Sequence, residues 1–205
     1  KNISLTFDNC TFPTQASDIY AYLGATYNTL LGYQGSEYGV PESVNFVFKG
    51  TKAFPEVGVS DGLGSANVTL TGAKGYIKPF VASSSSTIKA FTIPEGKTWA
   101  FNNGLEIAND VTLTNNGTLS VPLDNVMTAI AVEGTIQIKA TANEVVTEMN
   151  KATNKADLSS KATIIECSDA VIATNETKAK ELLKAGRNVQ LLAYAESRYT
   201  ISTYV

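Results

Sequence analysis

Short apolar–polar alternations recur along the chain and set its pattern. Ile3-Ser4-Leu5-Thr6-Phe7, Val44-Asn45-Phe46-Val47-Phe48 and Val68-Thr69-Leu70 each place apolar side chains at every second position. That is the period of a half-buried strand. The clearest signal lies mid-chain, where residues 91–101 read FTIPEGKTWAF and residues 111–121 read VTLTNNGTLSV. Set twenty apart, Phe91 meets Val111, Ile93 meets Leu113, Thr98 meets Thr118, Trp99 meets Leu119 and Phe101 meets Val121. Each copy is an apolar-Thr-apolar piece, a turn (Pro94-Glu95-Gly96 or Asn115-Asn116-Gly117) and a second short alternation. Leu105-Glu106-Ile107, Ile130-Ala131-Val132 and Ile136-Gln137-Ile138 read as further short strands.

Strands of about three residues with a repeat near twenty predict a mainly-β chain built as a short parallel β-solenoid. Equivalent strands of successive coils would stack in parallel, with inward residues forming one continuous core. A β-sandwich with turns every eight to twelve residues, or an α+β arrangement, is the alternative.

Helical signals decorate this body. Residues 17–31 place Ile19, Leu23, Thr26 and Leu30 on one stripe behind a capping Ser17. Near the C-terminus Asn175 caps ETKAKELLKAG, Gly186 stops it, and Leu182 and Leu183 are expected to pack inward. A weaker helix is expected from Asn143 to Asn154, and strands over Thr163–Ile165 and Asn188–Tyr194. The resulting organisation is a single domain over 1–205: an N-terminal coil plus helix at 1–60, the solenoid body at 61–140, and a helix/strand cap at 141–205. The cap would cover the open end of the solenoid, where unpaired backbone invites edge-to-edge association. Ser83–Ser86 reads as a mobile loop on the side.

Composition narrows the chemistry. The 205 residues hold no histidine, which removes Ser-His-Asp and Cys-His hydrolysis and His-ligated metal sites. The net charge of −3, with only two arginines, argues against nucleic acid as a partner. Thr (24), Ser and Asn (16 each) favour strands and turns over helices. Cys10 and Cys167 lie 157 positions apart with no metal-site spacing. They read as two buried free thiols; the alternative, a disulfide, requires the two ends to meet. The chain starts at Lys1 without an apolar leader, which suggests a mature or trimmed piece, and no run is long enough for a membrane span. Five Asn-x-Ser/Thr sequons, at Asn2, Asn9, Asn67, Asn116 and Asn175, are near the number chance gives in so Asn- and Thr-rich a chain.

Candidate chemistry is sparse. Gly96-Lys97-Thr98 has the tail of a phosphate-binding loop, but its first glycine would be Phe91. Gly62-Leu63-Gly64 lacks the third glycine of a dinucleotide fingerprint. A histidine-free glycosidase needs only two carboxylates. The candidates are Asp8, Asp61, Glu95, Glu106, Asp110 and Asp124; three of them (Asp8, Asp110 and Asp124) sit in turns, where the side chain caps local backbone. Asp61 and Asp124 lack a calcium-loop context. No cofactor or metal is expected. Aromatic placement is more informative: five of nine tyrosines fall between residues 20 and 38. Tyr20, Tyr22 and Tyr27 read as the flank of the first helix. Tyr33 and Tyr38, in the Gly-rich stretch 32–39, are the candidate ligand-binding residues, because tyrosine joins an apolar face to a polar tip. Trp99, aligned with Leu119, is expected in the core.

The stretch from Phe91 to Ile138, with Asn115-Asn116-Gly117-Thr118-Leu119, resembles bacterial cell-surface β-helix proteins. The opening Ile3–Phe12, ISLTFDNCTF, is similar to a coil of pectate-lyase-type β-helices. The resemblance implies a right-handed parallel β-solenoid and an exported location, extracellular or at the cell surface, often in adhesins or polysaccharide-acting proteins. No catalytic set carries over, since no cluster of acids with a partnering Arg or Lys matches.

These observations lead to an expected function: a non-enzymatic, adhesin-like surface module that binds a glycan or a surface protein of a host or neighbouring cell. It would involve neither nucleic acid nor membrane insertion. The alternatives are a polysaccharide lyase or glycoside hydrolase on the same scaffold, and a structural spacer or assembly module.

Overall fold

The computed structural model describes residues 2–11, 41–50, 57–58 and 66–205. The helix expected over 17–31 and the tyrosines at 33 and 38 lie outside them. The described chain is mainly strand with a mostly parallel sheet. It forms two compact units, Lys1–Gly117 and Thr118–Val205.

The first unit holds eleven described strands: β1 (Asn2–Asp8), β2 (Ser43–Lys49), β3 (Val57–Gly58), β4 (Asn67–Thr71), β5 (Gly75–Ile77), β6 (Phe80–Ser83), β7 (Ser86–Ile88), β8 (Ala90–Ile93), β9 (Thr98–Phe101), β10 (Leu105–Ile107) and β11 (Thr112–Asn115). Nine of them pair in three parallel sets, β1-β2-β4-β9, β3-β5-β10 and β8-β11, and β6 and β7 form an antiparallel hairpin. The chain visits the sets in turn: β4, β5 and β8, then β9, β10 and β11. In the first set, Ile3, Val44, Val68 and Trp99 share one rung, and Leu5, Phe46, Leu70 and Phe101 another. From β2 onward these side chains are buried. Ile3, Leu5 and Phe7 on the edge strand β1 are half-buried, and Phe7 stacks on Phe48 with ring centres 4.9 Å apart. The opposite face is zipped by small polar groups: Ser43 Oγ donates to Asn2 Oδ1 at 2.7 Å, and Asn45 Nδ2 to Ser4 Oγ at 3.3 Å.

The mid-chain repeat is real, but its first half has a different register from the one expected. Leu113 pairs with Phe91 and Asn115 with Ile93, a spacing of twenty-two. The cause is turn length. Four residues (94–97) separate β8 from β9, whereas only two (116–117) follow β11 before the next strand. Aligning the turns therefore misplaces the strands before them by two. An even shift keeps the pleat in phase, so Phe91, Ile93 and Leu113 still point inward. Elsewhere the spacing is longer: Val68 pairs with Trp99, thirty-one positions on. The β6–β7 hairpin, inserted between β5 and β8, adds to that round. The serine run expected as a loop supplies this hairpin's turn and the ends of its strands.

The second unit comprises β12 (Thr118–Ser120), a 3-10 turn (Leu123–Asn125), α1 (Val126–Ile130), β13 (Gly134–Gln137), α2 (Ala142–Lys151), β14 (Thr163–Glu166), β15 (Val171–Ala173), α3 (Glu176–Lys184), β16 (Val189–Ala195) and β17 (Arg198–Thr203). β12, β13 and β14 run parallel, β15 turns antiparallel to β14, β16 returns parallel to β15 through α3, and β17 closes a hairpin. Ile130, expected in a strand with Ala131 and Val132, instead ends α1; Val126, Ala129 and Ile130 are buried at helical spacing. α2 begins with a full capping box between Thr141 and Glu144 and buries Ala142, Val145, Val146 and Met149. α3 is capped as expected, Asn175 Oδ1 accepting from Lys178 N at 3.0 Å, and Gly186 ends it at φ 74°. Leu182 packs on Ala173, Ala179 and Val189, but Leu183 is 39% exposed: α3 offers the sheet a narrow face, and consecutive leucines cannot share it. Strand pairing puts Leu192, Tyr194, Tyr199 and Ile201 on one face of the β16–β17 ribbon and Val189, Leu191 and Tyr204 on the other, with α3.

Candidate functional site

A cavity of about 410 Å³ in the second unit opens where β15 leaves the sheet. β15 ends at Ala173, opposite Leu191, while β16 continues four residues further to Ala195. Thr174 and Asn175 divert the chain into α3. Thr174 Oγ1 donates to the Lys161 carbonyl, Asn175 Nδ2 donates to the same carbonyl at 2.7 Å, and the Thr174 amide donates to Thr163 O at 3.2 Å. The notch beside β16 is walled by loop 157–159, by the junction 174–176 and by residues 191–194.

The loop wall is anchored from within. Tyr199 Oη donates to the Ala156 carbonyl at 2.9 Å and accepts from the Ala156 amide at 3.3 Å; Tyr194 Oη reaches the Lys155 carbonyl at 3.4 Å. The two rings meet at 5.1 Å, tilted by 47°. Burial pushes the Tyr199 phenol above its ordinary pKa, against the opposing effect of the Ala156 bond, so this anchor stays protonated. Asp157 Oδ1 accepts from Ser159 N at 2.9 Å, which shapes the loop. Asp157 and Glu176 give the notch an acidic rim, and among the described residues no Lys or Arg side chain lines it.

The sequence candidates fall elsewhere. Tyr33, Tyr38 and Asp61 lie outside the described residues. Asp8 ends β1, exposed; Glu95 is exposed in the β8–β9 turn; Asp124 is exposed in the 3-10 turn. Glu106 on β10 pairs with Lys74 at 2.8 Å, and Asp110 with Lys89 at 3.3 Å. Among the described residues, no group of three or more Cys, Asp or Glu is placed to hold a metal ion. Trp99 is fully buried, as expected. Cys10 and Cys167 are both free and half-buried. Cys167 lines a smaller groove of about 240 Å³ with Glu166 and Lys139. Burial, with Asp169 and Glu166 adding, pushes its thiol up to about 12, so it is neither thiolate nor nucleophile at neutral pH. Beside it Arg187 grips Glu166 bidentately at 3.2 and 2.6 Å. Among the described residues, no helix is long and apolar enough to cross a membrane.

Sequence reasoning read Asn175 and Glu176 as a helix start, which holds, and Tyr194 as a strand end, where the strand runs one residue further to Ala195. Their convergence on a cavity depends on β15 being shorter than β16, which no local signal in the chain carries. Comparison with models of protein families, with curated proteins and with solved structures finds no match to this chain.

Proposed function

We propose that the chain is an exported, non-enzymatic surface module of adhesin-like character, built on a short right-handed parallel β-solenoid with helical decorations. It binds a glycan or a surface protein of a host or neighbouring cell. The observation that carries the scaffold is the cyclic order of the three parallel sets: β4, β5 and β8 are followed by β9, β10 and β11, each strand laid on its counterpart. Parallel strands joined by crossovers are overwhelmingly right-handed, which supports that hand for the solenoid. Such a scaffold is rigid, since every inward side chain is packed by the rungs above and below. It suits shape and stacking contacts of modest affinity that gain strength by multivalency. Tyr33 and Tyr38 are the proposed stacking residues.

The test is threefold: surface proteolysis of intact cells to establish exposure, a glycan array, and a pull-down against surface extracts of candidate host cells. Retention of a glycan or a surface protein, weakened by Tyr33→Ala with Tyr38→Ala, is the expected result. No retained ligand in either format, with the double variant silent in adhesion, overturns the reading.

A further inference from the structure

We propose that the notch beside β16 docks an extended, basic segment of a partner protein, which takes the place β15 vacates and continues the sheet by pairing with Leu192 and Tyr194. The proposal rests on the binding-module reading and takes its protein-binding branch.

Backbone parity makes the case. Val171 N donates to the Asn188 carbonyl, whereas Tyr204 N donates to the Val189 carbonyl. Along a strand these groups alternate sides, so the even-numbered residues of β16 face β15 and the odd-numbered ones face β17. β15 stops opposite Leu191. The Leu192 carbonyl and the Tyr194 amide and carbonyl therefore face the notch, with no described residue paired to them. Such groups along an open edge are a template for an incoming strand. The edge is approachable, because Ala193 and Ala195 are small and exposed. Neighbouring strands lie about 4.8 Å apart, so a segment laid beside β16 there takes the place in the sheet that β15 leaves at Ala173. Its free length, Leu192 to Ala195, matches about four extended residues, roughly 13 Å.

The rim chooses the occupant. Asp157 and Glu176 flank the notch, with no lining cation among the described residues. Glu176 also touches Lys180 at 3.5 Å, but both side chains are largely exposed, so this contact competes weakly with an incoming charge. A segment with Lys or Arg on either side of a short apolar–polar alternation satisfies both the edge and the rim.

The experiment uses the full chain and synthetic peptides of about eight residues, alternating Val and Thr with Lys at both ends. Glu-ended versions and an oligosaccharide panel serve as the other arms. Peptide binding followed by amide NMR is expected to shift the Tyr194 resonance and slow its exchange. Strand pairing uses alternate amides, so N-methylating one alternate set in the peptide abolishes binding while methylating the other leaves it. Asp157→Asn with Glu176→Gln weakens the Lys-ended peptide about tenfold. An unmoved Tyr194 amide, equal effects of the two methylation sets, or equal binding of Glu-ended peptide or oligosaccharide at the notch overturns the proposal. A chain that retains ligands in the arrays with Tyr194 silent loses the notch and keeps the module reading. Peptide pairing at Tyr194 in a chain absent from the cell surface does the reverse.

Discussion

Asn150 and Tyr199 exchange two hydrogen bonds: Asn150 Nδ2 donates to the Tyr199 carbonyl at 2.8 Å, and the Tyr199 amide donates to Asn150 Oδ1 at 2.9 Å. A primary amide carries the same donor–acceptor pair as a peptide unit. The α2 side chain thus stands where the next strand beyond β17 would stand. This blocks the outer edge of β17, the kind of cover that an open sheet edge needs. Asn150→Ala leaves both Tyr199 groups without their partner, an expected loss of about 1–3 kcal/mol. Chemical denaturation should show that loss, and light scattering should show increased self-association. A variant that is equally stable and remains monomeric would mean the edge needs no cap.

Gly96 and Gly117, one in each of the two turns of the repeat, are glycines for different reasons. Gly96 has φ 71° and open space around it; a Cβ on Gly117 would strike the backbone carbonyls of Lys97 and Pro94. Gly96→Ala is expected to cost about 1 kcal/mol from left-handed strain. Gly117→Ala must push main chain aside and should cost more, about 2–3 kcal/mol. Equal costs measured in urea would refute the distinction.

How much of this could be read from the chain varies by residue. The inward positions of β2, β4 and β9 follow from period-two alternation, since each strand contributes one apolar side chain to each buried rung. α3 was legible through Asn175 and Gly186, which act on adjacent backbone. The pairing of Phe91 with Leu113 was not, because register depends on turn length and the motif alignment matched turns instead. Ile130 was misassigned because three apolar residues in a row fit a helix end as well as a strand. The notch is invisible for a deeper reason: it is a difference in length between two strands brought side by side only by α3.

Trp99 is fully buried, and its Nε1 has no hydrogen-bond partner among the described residues. Trp99→Ala should cost about 3–5 kcal/mol. Trp99→Phe loses less volume and also removes an unsatisfied buried donor, itself worth about 1–3 kcal/mol. We expect its net cost to stay near 1 kcal/mol, read by circular dichroism during denaturation. A phenylalanine variant as unstable as the alanine one would show that shape outweighs the orphaned N–H.

The β16–β17 hairpin turns through Glu196 and Ser197 at φ 50° and 57°. Both central residues are left-handed, the geometry that Asn-Gly adopts most readily. Glu196→Asn with Ser197→Gly should relieve strain and stabilise the second unit by about 1 kcal/mol. The midpoint of thermal unfolding should rise, and a fall would imply that Glu196 or Ser197 makes a contact outweighing the strain.

The start of α2 should make the second unit sensitive to acid. Glu144 Oε2 accepts from the Thr141 amide at 2.8 Å and from Thr141 Oγ1 at 2.7 Å. The Thr141 backbone bond, then its hydroxyl, hold this carboxyl below the usual glutamate range, against desolvation and the nearby Asp169 charge. A carboxylate whose pKa is lower folded than unfolded lends stability above its unfolded value, near 4.3, and loses it as pH falls through the folded value. Glu144→Gln keeps the side-chain shape and removes the titration. It should be less stable than the parent at neutral pH, and the difference should close as pH falls from above about 4.3 through the lowered folded value. Trp99 belongs to the other unit, so the helical circular dichroism signal is the one to follow. Parallel stability curves for parent and variant across that range would sink the assignment of acid sensitivity to this capping box.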